Sequence, residues 1–160
     1  MSAPALEDLK KVPIFSRFTP EELETVRQAT RRLEVREGDI LFSEGDAGDS
    51  ICFVVDGRLD VMQTPLGGEP VIVNALSRGQ SFGEMAIMEK KPRSATIKAV
   101  APSRLITLDR SRFETLMQEQ PTVAVKILMG VSLLLSKKLR QTNSRLINYM
   151  TFRPEPLEGS

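Results

Sequence analysis

Phe82-Gly83-Glu84-Met85-Ala86-Ile87, followed shortly by Pro92-Arg93-Ser94-Ala95, is the stretch of this chain whose residue types and spacing can do chemistry. A glycine opens what should be one short helical turn, with a carboxylate beside it and a guanidinium a few residues later. Free backbone N–H groups at a helix start attract an anion, and the planar donor fork of arginine suits phosphate. Glu84, when ionised, only accepts hydrogen bonds, so it calls for a hydroxyl or an amine. The trio suits a small ligand that carries both a phosphate and a sugar hydroxyl. The absences narrow the choice. The chain has no histidine, which removes the commonest general base and the commonest metal ligand. Cys52 is the one cysteine, so no intramolecular disulfide and no thiolate cluster can form. Set between Ile51 and Phe53, it reads as a core thiol.

The elements that must hold this stretch follow from periodicity. Residues 5–15 read as a short helix running into Pro13. Thr19-Pro20-Glu21-Glu22 forms a capping box with proline at the first helical position, and the helix it launches should reach about Thr30, with Leu23 and Val26 inward. From Leu33 the rhythm changes to two: Leu33 and Val35, Ile40 and Phe42, Ile51, Phe53 and Val55, then Leu59 and Val61. Further strands are expected near Pro70–Leu76, Ala95–Ala101 and Arg104–Asp109. Gly-Asp and Gly-Gly pairs punctuate them, and Asp56-Gly57 reads as a two-residue hairpin. Short strands at regular spacing argue for an antiparallel sandwich or barrel. Asp109 can cap a helix carrying Phe113, Leu116 and Met117, and Pro121 can open a longer one to about Met150. Residues 151–160 are expected to be a disordered tail.

The 160 residues and a net charge of +1 fit a single globular unit with no global field directed at nucleic acid. No apolar run reaches membrane-spanning length, and the first residues lack the basic and apolar regions of a secretory signal. The default expectation is cytoplasmic.

The 82–95 stretch closely resembles the phosphate-binding cassette of cyclic nucleotide-binding domains, which reads Phe-Gly-Glu-(Leu or Met)-Ala-(Leu or Ile), a spacer, then Arg-(Ser, Thr or Ala)-Ala. The resemblance runs from about residue 5 to 150. It implies an α+β, mainly β fold: an eight-stranded antiparallel jelly roll over about 33–109, N-terminal helices, and two C-terminal helices over about 110–150. It also implies a non-enzymatic sensor of cAMP or cGMP, with cAMP favoured, and no metal. By resemblance, Arg93 pairs with the exocyclic phosphate. Backbone N–H groups near Ala86, with the hydroxyl and backbone of Ser94, complete the cradle. Glu84 accepts from the ribose 2′-hydroxyl, and Gly83 lets the backbone approach. Phe82, Met85 and Ala95 complete the motif. Val61, Val73 and Ala95 are candidates for the base pocket or simply for core. Ser94 is compatible with either base. Thr142 and Asn143 resemble the adenine-reaching segment of the catabolite activator group and are candidate base caps.

The helix over 121–150 carries Lys126, Lys137, Lys138, Arg140 and Arg145 and no acidic residue. Its stripe, Leu128, Val131, Leu135, Leu139, Thr142, Leu146 and Tyr149, widened by Leu133 and Leu134, either packs back on the roll or pairs with a second chain, and the resemblance favours a homodimer. No helix-turn-helix follows in the sequence, so direct DNA binding is not expected, and the output would pass to an unidentified effector protein. The alternatives are a domain of the same fold that has lost its ligand, a regulatory piece of a larger protein, and a jelly-roll enzyme, the last disfavoured by the lack of histidine.

Overall fold

The computed structural model describes residues 2–152. The expected tail over 151–160 lies outside them beyond Phe152. Helix α1 (Leu6–Lys10) is followed by a 3₁₀ turn at Pro13–Phe15, not by one continuous helix. Pro13 lacks an N–H, and Val12 before it is extended, at φ −92° and ψ 115°, as a residue preceding proline prefers. Helix α2 (Pro20–Ala29) starts on the expected capping box: the Glu22 N–H donates to Thr19 Oγ1 at 3.2 Å, and the Thr19 N–H donates to Glu22 Oε1 at 2.9 Å.

Eight strands follow: β1 (Arg31–Val35), β2 (Ile40–Phe42), β3 (Ser50–Asp56), β4 (Arg58–Gln63), β5 (Val71–Ser77), β6 (Ser81–Phe82), β7 (Thr96–Ala99) and β8 (Ser103–Asp109). They form two four-stranded antiparallel sheets, ordered β1-β8-β3-β6 and β2-β7-β4-β5. This is the expected antiparallel roll. Helices α3 (Arg110–Glu119) and α4 (Pro121–Thr151) complete the described chain. Asp109 has the extended backbone of a cap but makes no side-chain cap bond.

The hairpin expected at Asp56-Gly57 does not form. Strand β3 pairs with β6 and β8, whereas β4 pairs with β5 and β7. The single residue between them is a corner at which the chain changes sheets. A type I′ hairpin needs positive φ at both central residues, and only Gly57 has it, at 108°. A Cβ there would sit 2.2 Å from Ser103 Oγ, so the corner packs directly on β8.

Strand β3 explains the core. Ile51, Phe53 and Val55 face the helices, in a cluster with Phe15, Val26, Ile106, Phe113, Ile127 and Val131. Cys52 and Val54 face the interior of the roll, with Leu59, Leu76, Phe82, Ile97 and Leu105. A strand covered on both sides reads as a continuous apolar run. Burial pushes the Cys52 thiol up to about 12, which leaves it a core group with no thiolate character.

The first half of α4 lies on this helical layer through Val123, Ala124, Ile127 and Val131, with Leu128, Leu134 and Leu135 partly covered. A Cβ on Gly130 would come within 2.8 Å of Ile14 Cβ, so this glycine sets how closely α4 approaches the turn after α1. The N-terminal half of the stripe therefore packs back on the roll, while Leu133, Leu139, Leu146 and Tyr149 are exposed.

Candidate functional site

Strand β6 ends at Phe82, Gly83 after it has a left-handed φ of 76°, and a 3₁₀ turn over Glu84–Ile87 begins at once. The glycine is required twice over. Its conformation is one that other residues adopt at a cost, and a Cβ would lie 2.3 Å from Arg93 Nη1 and 2.6 Å from the Ser50 carbonyl. Gly83→Ala is expected to destabilise the protein by more than about 1 kcal/mol and to displace Arg93. An unchanged melting temperature would contradict this packing.

Arg93 reaches the site from the loop before β7. Its backbone is held on both sides: its N–H donates to the Asp46 carbonyl at 2.7 Å, and its carbonyl accepts from the Gly45 N–H at 2.8 Å. The residue is 9% exposed. Nη2 donates to the carbonyl and hydroxyl of Ser50 at 2.9 and 3.2 Å. The guanidinium lies 4.0 Å above the Phe42 ring, which meets Phe82 edge to face at 5.8 Å. Gly48 closes the far side, where a Cβ would stand 2.8 Å from Nε. That Nε is buried with no partner, and no carboxylate pairs with Arg93 among the described residues. A buried cation held only by neutral acceptors is costly, and an anion at its open side removes that cost.

Glu84 is 7% exposed. Its Oε1 accepts from Ser81 Oγ at 2.8 Å and from Lys138 Nζ, which also donates to the Ser81 carbonyl. Lys138 belongs to α4, so the last helix is tied by an ion pair to the carboxylate of the cassette.

Arg93 and Glu84 line one cavity of about 300 Å³, at the lower end of small-ligand pockets. Gly83, Met85, Ala86, Ser94 and Ala95 line it too, with Val61, Asn74, Leu76 and Ile97 as an opposite wall and Lys138, Gln141, Thr142 and Arg145 of α4 across its mouth. Met85 and Ser94 are exposed at the rim, and Ala86 is buried. The Ala86 N–H already donates to the Gly83 carbonyl at 3.0 Å. The Ser94 carbonyl accepts from Gln63 Nε2 at 3.2 Å.

Two expected candidates stand elsewhere. Val73 is 43% exposed and does not line the cavity, because it is the extra residue of a bulge in β5: Val61 pairs with Asn74 and Met62 with Ile72, and Asn74 takes the place in the cavity wall. Asn143 is exposed and outside the lining, since one residue along a helix is about 100° around it. Thr142 does line the cavity, with its hydroxyl donating to the Lys138 carbonyl at 2.9 Å. Sequence reasoning missed Phe42, Ser50, Asn74, Ser81 and the role of Lys138. Lys138 had a signal, since it stands one helical turn before Thr142 on the same face.

Among the described residues no helix is long and apolar enough to cross a membrane, and no group of three His, Cys, Asp or Glu is placed to hold a metal ion.

The family described as "Cyclic nucleotide-binding domain" matches residues 32–120, more than half of the chain. Among curated proteins, the "Cyclic AMP receptor protein" of Thermus thermophilus is 30% identical over 138 residues, covering 86% of this chain and 62% of its own length. Among solved structures, a cyclic nucleotide-binding domain from Methylobacillus flagellatus superposes with a TM-score of 0.81 at 24% identity, over 90% of this chain and 81% of that one, a likeness of fold. The regulatory domain of Toxoplasma gondii PKA, in co-crystal with cAMP, superposes with a TM-score of 0.66 at 27% identity, over 85% of this chain and 48% of that one.

Proposed function

The chain belongs to the cyclic nucleotide-binding domain family, and from that premise we propose that its cavity binds a cyclic mononucleotide, cAMP in preference to cGMP, and that α4 carries the signal. The observation that supports this most is Arg93: a residue 9% exposed, its guanidinium without a carboxylate partner, on the wall of a nucleotide-sized cavity. The singly charged exocyclic phosphate is the anion it lacks. The N–H groups that open the 3₁₀ turn and the Ser94 hydroxyl complete the cradle. Glu84 takes the ribose 2′-hydroxyl, using Oε2 or replacing the Lys138 contact at Oε1. The base lies towards Val61 and Ala95 under Thr142.

The reading assigns no catalytic residue and no metal. The domain acts as one cytoplasmic regulatory unit that passes its state to an effector protein. Glu84 supplies the test. The melting temperature of the protein should rise with cAMP at millimolar concentration by mass action, and 2′-deoxy-cAMP should need about tenfold more ligand for the same rise. Equal effects of the two nucleotides would remove Glu84 from the site. No effect of either would favour a domain of this fold that has lost its ligand.

We further propose that two copies associate through α4, because Leu133, Leu139 and Leu146 lie exposed along it at 71, 62 and 56%. Leu135 is partly buried against the core, so the decisive variant carries Leu139→Lys with Leu146→Lys. It should be a folded monomer in light scattering where the parent is a dimer. A parent that is monomeric with and without cAMP would contradict this.

A further inference from the structure

Across β5, β4 and β7 one row of residues lies in register. Asn74 stands opposite Val61, and Val61 stands opposite Ile97. All three line the cavity, with Leu76 beside them. Phe42, Val61, Leu76 and Ile97 are the other residues that this sheet places in the wall, so Asn74 is its one polar contribution among the described residues. A lone polar side chain in an apolar ligand wall is the arrangement that fixes ligand orientation and identity.

The amide of Asn74 is held one way round. Its Oδ1 accepts from the Ala75 N–H at 2.9 Å, so Nδ2 cannot exchange places with Oδ1 without breaking that bond. Nδ2 has no partner among the described residues. It offers donors, and the second lone pair of Oδ1 remains an acceptor. A donor and an acceptor side by side match the N7 acceptor and N6–H donor of adenine. Guanine presents two acceptors on the same edge, N7 and O6, so its O6 would face Oδ1.

We propose that Asn74 is the specificity-determining residue of the cavity, reading the N6/N7 edge of adenine with an amide whose orientation the Ala75 N–H fixes. This rests on the cyclic-nucleotide reading of the cavity. A bidentate pair of this kind discriminates against the wrong base by about ten- to a hundredfold.

The test is calorimetric titration of the full chain and of Asn74→Ala with cAMP, cGMP and 7-deaza-cAMP, which lacks the N7 acceptor. The parent should bind cAMP about tenfold or more tighter than either of the others. In Asn74→Ala, cAMP affinity should fall at least to the parent's affinity for 7-deaza-cAMP. That analogue, which keeps the N6–H donor, should lose less than cAMP does, and the preference over cGMP should collapse. An Asn74→Ala protein that keeps the cAMP to cGMP ratio of the parent overturns the inference, as does a parent that binds 7-deaza-cAMP as well as cAMP. The analogue comparison needs no substitution and so stands whatever the variant does to folding. Binding of none of the three to the parent overturns the underlying reading as well, whereas tight binding without discrimination overturns this inference alone.

Discussion

Replacing Arg93 by methionine is expected to weaken cAMP binding by about ten- to a hundredfold while leaving the melting temperature of the ligand-free protein unchanged or raised. The two effects have opposite signs for one reason. Without ligand, the guanidinium is desolvated against Phe42, Gly48 and Gly83, with only the neutral oxygens of Ser50 as acceptors and with Nε unpartnered. Replacing a poorly paired buried charge by an apolar side chain of similar length is often neutral or stabilising, and a thioether keeps a favourable contact with the Phe42 ring. With ligand, the same guanidinium makes charge-assisted bonds to phosphate worth about 1.5–3 kcal/mol. Titration calorimetry and thermal melting measure the two quantities separately. A variant that loses stability yet keeps its affinity would show that the Arg93 side chain serves Ser50 and Phe42 and not a ligand.

Lys138→Met should have the next largest effect, and it should appear in α4. Lys138 is the side chain of that helix that bonds the cassette, reaching both Glu84 Oε1 and the Ser81 carbonyl. Its removal leaves a carboxylate 7% exposed with Ser81 Oγ as its remaining partner. Hydrogen bonds to charged groups contribute about 1.5–3 kcal/mol when buried. Lys138 is one-third exposed, so the lower end applies, about tenfold in the opening equilibrium of the helix. Amide exchange over the second half of α4 should therefore quicken in the ligand-free variant. In the parent, cAMP should change exchange in that same segment, because a ligand shifts a population only through contacts that differ between the states. In Lys138→Met the cAMP-dependent change should shrink. If α4 exchanges identically in parent and variant, with and without cAMP, the helix is not coupled to the cavity.

How much of this was legible in the sequence depends on the range of the signal. The Thr19 capping box, the Pro20 and Pro121 helix starts and the alternation through β1–β4 are local, and the structure has them where the residues place them. Strand β6 has two residues, too few for any period. The Asp56-Gly57 pair looked like a hairpin because composition reports a turn but not which strands it joins. That was decided by Ser103, 46 residues away, against which the Gly57 corner packs. The cassette was legible because Gly83, Glu84 and Arg93 lie within eleven residues. Phe42, Gly48, Asn74 and Lys138 reach the cavity, and Ser50 reaches the Arg93 guanidinium, from other segments, and apart from Lys138, one helical turn before Thr142, nothing in their local sequence marks them. The α4 stripe carried two uses at once. Val131 and Leu135 pack on the roll and Leu139 and Leu146 do not, a division that the three-and-four spacing alone does not contain.

Whether the cavity between Arg93 and Glu84 is a cyclic nucleotide site is decided by titrating cAMP into the full chain by calorimetry. A saturable heat with one nucleotide per chain is expected, weakened about ten- to a hundredfold by Arg93→Met while that variant melts no lower than the parent. No saturable heat with cAMP or cGMP up to millimolar concentration, or binding that Arg93→Met leaves untouched, would contradict it.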